Sequence, residues 1–314
     1  MFFKALVVAR DGHILKFFLA MVDQCGFTFI QHLFGVPGIT TVDPENLETI
    51  LSTNFTDYDL GLRPLAFRAL LGSGIFTQDG EEWKHSRHLL RLQFASNRAR
   101  NFIEIQECVE RLFDRIPHKD EVEVDLQPLF LKLTFETTMV LLFGKHAYGL
   151  KELTAQESTF AEAFNLAQDY LAHRGRLGHM YWLFNTKVFH DACRACHVFI
   201  DEVVGKALEA SESLSYQADG EYIFIDALVQ QTRDPLILRD QCLNVLLAGR
   251  DTTGCCLSWT LLVFLTRPRK KQNLNNRTIV ACWPGTRMFS KNYDEKLKMW
   301  SVLGPTHRYL PEMI

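Results

Sequence analysis

The spacing of apolar positions divides the chain into a short strand-like region and a long series of helices. Phe27 to Phe34 mixes aromatic and β-branched residues with partial alternation, Gly35-Val36-Pro37-Gly38 has turn chemistry, and Ile39 to Val42 repeats the strand pattern. Together they predict a hairpin. Asp43-Pro44-Glu45 combines a capping acid, a proline at the first helical position and an acid in the first turn, which predicts a helix to about Ser52. Residues 72–80 read as a loop with three glycines. Helices are predicted over 81–93, up to Pro117, over 126–143 with Gly144 closing it, over 157–174 and over 187–210. An aromatic linker around Tyr181, Trp182 and Phe184 joins the last two, and 211–221 reads as a polar loop.

The longest pattern begins at Asp234-Pro235 and continues to about Thr266. At about 1.5 Å per residue this is a helix roughly 50 Å long. It is apolar on most faces, which predicts a path through the core. Arg250 and Asp251 at its middle argue against a membrane span. The apolar stretch 14–35 holds Lys16, Asp23, Gln24, Gln31 and His32, so no spanning anchor is expected there; contact with a membrane surface stays open. The fold class that follows is mainly α with a small β part. After Arg267 the pattern is lost. Residues 269–277 are polar without a helical stripe, and apolar periodicity returns only near 293–303.

Composition adds exclusions. With a formal charge of −3 there is no global basic excess to suggest nucleic acid as a partner. The eight cysteines are scattered among helical patterns, which reads as reduced thiols and not a disulfide framework. Abundant Phe, 24 residues, suits either a large core or an apolar cavity.

Chemistry concentrates at Ala248-Gly249-Arg250-Asp251-Thr252-Thr253. On a helix Ala248 and Thr252 share a face and Asp251 lies beside it. Gly249 would let a flat cofactor or a diatomic ligand approach the backbone. The Thr252 hydroxyl can bond back to the Ala248 carbonyl, bending or opening the helix there. An acid next to an alcohol is suited to relaying protons inward.

This stretch, followed by Leu257-Ser258-Trp259, resembles the long central helix of the cytochrome P450 family, in the style of the fungal alkane and fatty-acid hydroxylases. A second segment, Gly72 to Arg87, is similar to the same family's loop and next helix, with Leu92 standing where close relatives often have Pro. Trp83 and Arg87, four apart, share a helix face and could together hold a haem propionate. Thr137 to Gly144, Phe224 to Leu228 and Arg239-Asp240-Gln241 are softer matches. The resemblance implies an oxidoreductase with haem, an iron protoporphyrin. It would insert one atom of O2 into a C–H bond of a lipophilic alkane or fatty acid, with electrons from NADPH through a reductase. Asp251 and Thr252 would be catalytic; Trp83, Arg87, Ala248 and Gly249 would bind the cofactor. Substrate contacts would come from a 63–76 loop, the 164–182 region and the face around Ala248. The implied location is the cytosolic face of the endoplasmic reticulum membrane. The cations of Lys84-His85-Ser86-Arg87-His88 and Arg91 suit a docking reductase better than nucleic acid.

The chain also departs from the family. No Phe-x-x-Gly-x-Arg-x-Cys occurs, no Cys follows Cys282, and the Glu-x-x-Arg pair is missing after Pro268. Glu295-Lys296-Leu297 and Val302 to Thr306 resemble the family's segment after the long helix. The expected organisation is therefore a family domain part over 1–268, an atypical insertion over 269–290 and a remnant over 291–314. A retained intron or a faulty gene model would produce that order. Two other readings remain: a non-catalytic remnant without the iron ligand, and a c-type haem electron carrier built on Cys193-Arg194-Ala195-Cys196-His197. The same Cys pair with His190 and His197 is a weak zinc pattern. The helical spacing around these residues favours plain helix.

Overall fold

The computed structural model describes residues 7–8, 13–33, 36–96, 102–117, 124–144, 153–212, 223–266 and 279–280. The expected insertion over 269–290, apart from 279–280, and the 291–314 segment lie outside them, as do Cys282 and most of the 211–221 loop.

The order of elements is α1 (Ile14–Cys25), β1 (Thr28–Leu33), β2 (Val36–Thr41), α2 (Pro44–Glu48), α3 (Arg63–Leu71), α4 (Gly80–Ser96), α5 (Phe102–Asp114), β3 (Val124–Asp125), α6 (Leu126–Phe143), α7 (Leu153–Leu177), α8 (Lys187–Glu212), α9 (Phe224–Val229), α10 (Pro235–Thr266) and β4 (Ile279–Val280). The mainly α class with a small β part is thus observed. The hairpin β1–β2 is antiparallel, from Thr28↔Thr41 to Leu33↔Val36. Val36, Pro37 and Gly38 lie within β2 and pair with β1, contrary to the sequence expectation of a turn there. Pro37 is tolerated because an edge strand need not donate every N–H.

Two more expectations shift. Residues 63–71 are helical and not loop, because Pro64 opens the turn and Ala66, Leu70 and Leu71 bury one face. α2 ends at Glu48 and passes into a wider π turn over Thr49–Thr53. Elsewhere the caps are as the sequence indicates. Asp43 accepts from the Glu45 N–H at 3.0 Å, and Asp234 from the Leu236 N–H at 2.9 Å. Asp125 starts α6 in the same way, accepting from Gln127 at 3.1 Å.

The core lies between α6, α7, α8, α9 and the first half of α10. Phe160 stacks on Phe164 and meets Phe135 and Phe199, with centroids 4.4–5.7 Å apart. Phe164 is fully buried here, which removes it from the expected substrate-contacting region. The aromatic linker forms a 3-10 segment, Gly178–Phe184, with Trp182 and Leu183 exposed. Buried Arg174 fastens the end of α7 to α3: its Nε donates to the Ala66 carbonyl at 2.7 Å, and Nη1 donates to Asn185. Among the described residues α6 alone is long and apolar enough to cross a membrane. It lies against α10 as a core helix, with 56% of it buried.

Candidate active site

α10 carries the candidate site, and its two sides have different surroundings. At 3.6 residues per turn, Ala248, Thr252 and Cys255 fall along one side, with Asp251 at its edge. Thr252 and Cys256 are exposed there, and Ala248 and Cys255 are half-buried. The Thr252 hydroxyl donates to the Ala248 carbonyl at 2.6 Å, as the spacing predicts. The helix runs on without interruption, so the expected opening is not seen. A carbonyl has two lone pairs and can take the hydroxyl as a second donor.

The other side is set by α6. Thr134 donates its hydroxyl to the Arg250 carbonyl at 2.8 Å. A Cβ on Gly249 would stand 2.7 Å from Thr138 Oγ1, and one on Gly254 would be 3.0 Å from Leu131. The bareness of Gly249 therefore admits a side chain of a neighbouring helix. This corrects the reason inferred from sequence, that a cofactor needed the space.

Asp251 is paired with the preceding residue. Arg250 Nη1 lies 2.8 Å from Asp251 Oδ1, and Arg250 is only 4% exposed. Burial pushes the Asp251 carboxyl above the usual carboxylate range, against the opposing pull of Arg250 and a smaller one from Gln168. Burial likewise lowers the guanidinium of Arg250, with Asp251 resisting.

A second construction joins the glycine loop to α10. Asp240 accepts from the Ser73 N–H at 2.7 Å, and Asn244 accepts from the Phe76 N–H at 3.0 Å. Asn244 also donates to the Leu71 carbonyl at 2.9 Å. Gly72, at φ 59°, lies so close that a Cβ would meet Asp240 at 2.1 Å. Gly74 stands to Asn244 in the same way, at 2.2 Å. Sequence reasoning did not assign these two side chains; their i, i+4 spacing opposite two glycines was the available signal.

Trp83 and Arg87 lie on one face of α4, as expected. The guanidinium is 5.5 Å from the indole centroid, and Phe55 lies 5.2 Å from the same ring. Among the described residues neither donor has a hydrogen-bond acceptor or an ion-pair partner. α4 is bound to α10 through Ser86, which accepts from Gln241 Nε2 at 2.7 Å and donates to Gln78 at 2.6 Å. Gln241 precedes Ala248 by seven residues, two turns, so the two share a face. The fold thus brings the helix of Trp83 and Arg87 to the Ala248 side of α10.

The Cys-x-x-Cys-His motif is not a haem attachment site. Cys193 and Cys196 are 3% and 0% exposed, and burial pushes both thiols up to about 12. His197 bonds the Leu70 carbonyl at 2.9 Å. No group of three or more metal-ligating side chains occurs among the described residues, so the zinc pattern fails too.

The cytochrome P450 family profile matches residues 1–277. A cytochrome P450 of Arthroderma benhamiae is 53% identical over 273 residues, covering 85% of this chain and 51% of that one. Cytochrome P450 52A13 of Debaryomyces hansenii is 39% identical over 294 residues, covering 90% of this chain and 57% of that one. The chain thus spans about half the length of the curated relatives it matches. The cytochrome P450DA heme domain shares its fold at a TM-score of 0.63 and 19% identity, over 82% of this chain and 57% of that one. With a family match over residues 1–277 and relatives up to 53% identical among those compared, this chain belongs to the cytochrome P450 family.

Proposed function

We propose that the chain supplies the distal wall and the propionate anchor of a haem monooxygenase. Its protein would insert one atom of O2 into a C–H bond of a lipophilic alkane or fatty acid. The observation that carries this reading is the Ala248–Thr252 face of α10, with its back-bonded hydroxyl and a half-buried acid at its edge. The substrate class rests on the resemblance to fungal alkane and fatty-acid hydroxylases.

The residues fit haem. Trp83 and Arg87 present N–H donors without protein acceptors among the described residues, which suits a carboxylate. Ala248 offers only a methyl group, so that face of the helix leaves room for a flat ring. Gly249 contributes by letting α6 approach, which fixes how far Ala248 projects. Bound haem would supply the redox chemistry of dioxygen. The protein's part is the proton. Asp251 would take it from solvent and offer it beside Thr252. The Thr252 hydroxyl hydrogen is committed to Ala248, so its lone pairs face the incoming donor. A carboxyl raised by burial keeps more of its proton near neutral pH than a free one, so it can serve as a donor there.

Electrons would come from NADPH through a reductase docked on the exposed side chains Lys84, His85, His88 and Arg91. The protein would sit at the cytosolic face of the endoplasmic reticulum membrane, in line with its resemblance. The test is to graft residues 1–266 onto the remaining length of a full-length relative, load the chimera with haem and supply a reductase, NADPH, a saturated fatty acid and isotopically heavy dioxygen. The expected product carries one heavy oxygen, and Asp251→Asn slows its formation. Absence of haem uptake, or uptake without labelled product, overturns the proposal.

A further inference from the structure

Arg63 opens α3 as an exposed cation, and among the described residues it has no hydrogen-bond acceptor and no ion-pair partner. Its contacts are with rings. The guanidinium carbon lies 5.5 Å from the Phe67 centroid and 5.8 Å from that of Phe76. Both rings are half-buried and pack against the main core. Contact with a ring engages the face of a guanidinium, and its N–H donors stand at the edge in a fork that matches a carboxylate. The two rings are fixed from different elements. A Cβ on Gly175 of α7 would stand 3.2 Å from Phe67, so α7 closes on that ring. The Phe76 N–H donates to Asn244 of α10 at 3.0 Å. Ala248 lies one turn beyond Asn244 on the same face, about 6 Å along the helix. Arg63, the two rings and the Ala248 side therefore form a series, charged at its outer end and apolar inward.

We propose that Arg63 binds the carboxylate of a fatty acid whose chain passes Phe67 and Phe76 toward Ala248, which makes the site selective for acids over alkanes. The inference rests on the monooxygenase reading above and narrows its substrate class. An alkane has no group for the guanidinium to hold, so it gains only the apolar part of the series. A carboxylate gains a two-pronged, charge-assisted pair as well. The rings under the cation exclude water from one side of that pair, which strengthens it over a fully solvated one. Lysine would keep the charge here and lose both the fork and the flat contact with the rings.

The experiment compares dodecanoic acid with its methyl ester, which has the same chain and no charge. Equilibrium dialysis of the full chain with isotopically labelled ligands measures both affinities. The acid is expected to bind about tenfold more tightly than the ester, and Arg63→Leu to abolish that difference by weakening the acid alone. Added salt should weaken the acid and spare the ester. Arg63→Glu should reverse the choice, so that dodecylamine binds it more tightly than it binds the parent. Arg68→Leu, which removes another exposed cation of α3, should leave the acid preference unchanged. Equal affinities for acid and ester in the parent, or an acid preference that survives Arg63→Leu, overturn the inference and leave the monooxygenase reading intact. An acid preference that depends on Arg63, with no labelled product from the haem-loaded chimera, overturns the monooxygenase reading and leaves the carboxylate anchor standing.

Discussion

Thr138 of α6 and Gly249 of α10 meet where a single added methyl would come within 2.7 Å of the Thr138 hydroxyl. The contact sets the spacing of the two helices directly behind Asp251 and Thr252. The Thr134 bond to the Arg250 carbonyl, at 2.8 Å, reinforces it four residues away on α6. A motif that reads as chemistry is in part a packing device.

Gly249→Ala tests that contact. Helix propensity alone would stabilise the variant by about 1 kcal/mol. The clash should outweigh this and give a net loss of about 1–3 kcal/mol. Denaturant unfolding measures it, and adding Thr138→Ala should recover most of the loss. A Gly249→Ala protein as stable as its parent would show that the helices can separate at little cost.

The loop of residues 72–77 should depend on Asp240 for its order. Replacing Asp240 by Ala orphans the Ser73 N–H and removes the buried carboxylate beside Arg239. A loss of about 1–3 kcal/mol is expected. Amide exchange should accelerate at Ser73 and Phe76 before it does in α6. Uniform acceleration across the chain would argue against a local clamp.

The buried thiols have an alkaline consequence. Cys193 and Cys196 are raised from 9.0 to about 12 in the folded protein. In the unfolded chain they ionise near their ordinary value, so above it the unfolded state sheds protons that the folded state keeps. Stability is unaffected by them below that value. It then falls as pH rises toward about 12, by up to ~1.4 kcal/mol per pH unit for each thiol. Urea titrations at about pH 8 and pH 10 should show this slope, and a Cys193→Ala, Cys196→Ala variant should flatten it. In the native protein a thiol reagent should reach exposed Cys25 and Cys256 and spare Cys193, Cys196 and Cys242.

Arg87→Leu should weaken haem uptake by about tenfold or more, the value of one charge-assisted hydrogen bond. Trp83→Phe keeps the stacking surface and loses the N–H, so a smaller loss is expected. Following the Soret band during haem titration measures both. Unchanged affinity in Arg87→Leu would remove this pair from the cofactor site.

Local rules made most of the helical framework legible. Asp43, Asp234 and Gly144 mark helix ends because capping depends only on near neighbours. The Ala248–Thr252 bond was readable for the same reason, since four residues of helix fix the geometry by themselves. The sequence also determined the family, through motifs in order.

Tertiary structure decided what each unassuming residue faces. Nothing near Gly249 in sequence announces Thr138, which lies 111 positions earlier, and nothing near Gly72 announces Asp240. Helix periodicity says which residues share a side but not which neighbour comes to that side. That choice is made by long-range packing. Cys193 and Cys196 show the same limit: their spacing matched a haem-attachment pattern that the helical spacing around them disfavoured, and burial in the core ruled it out.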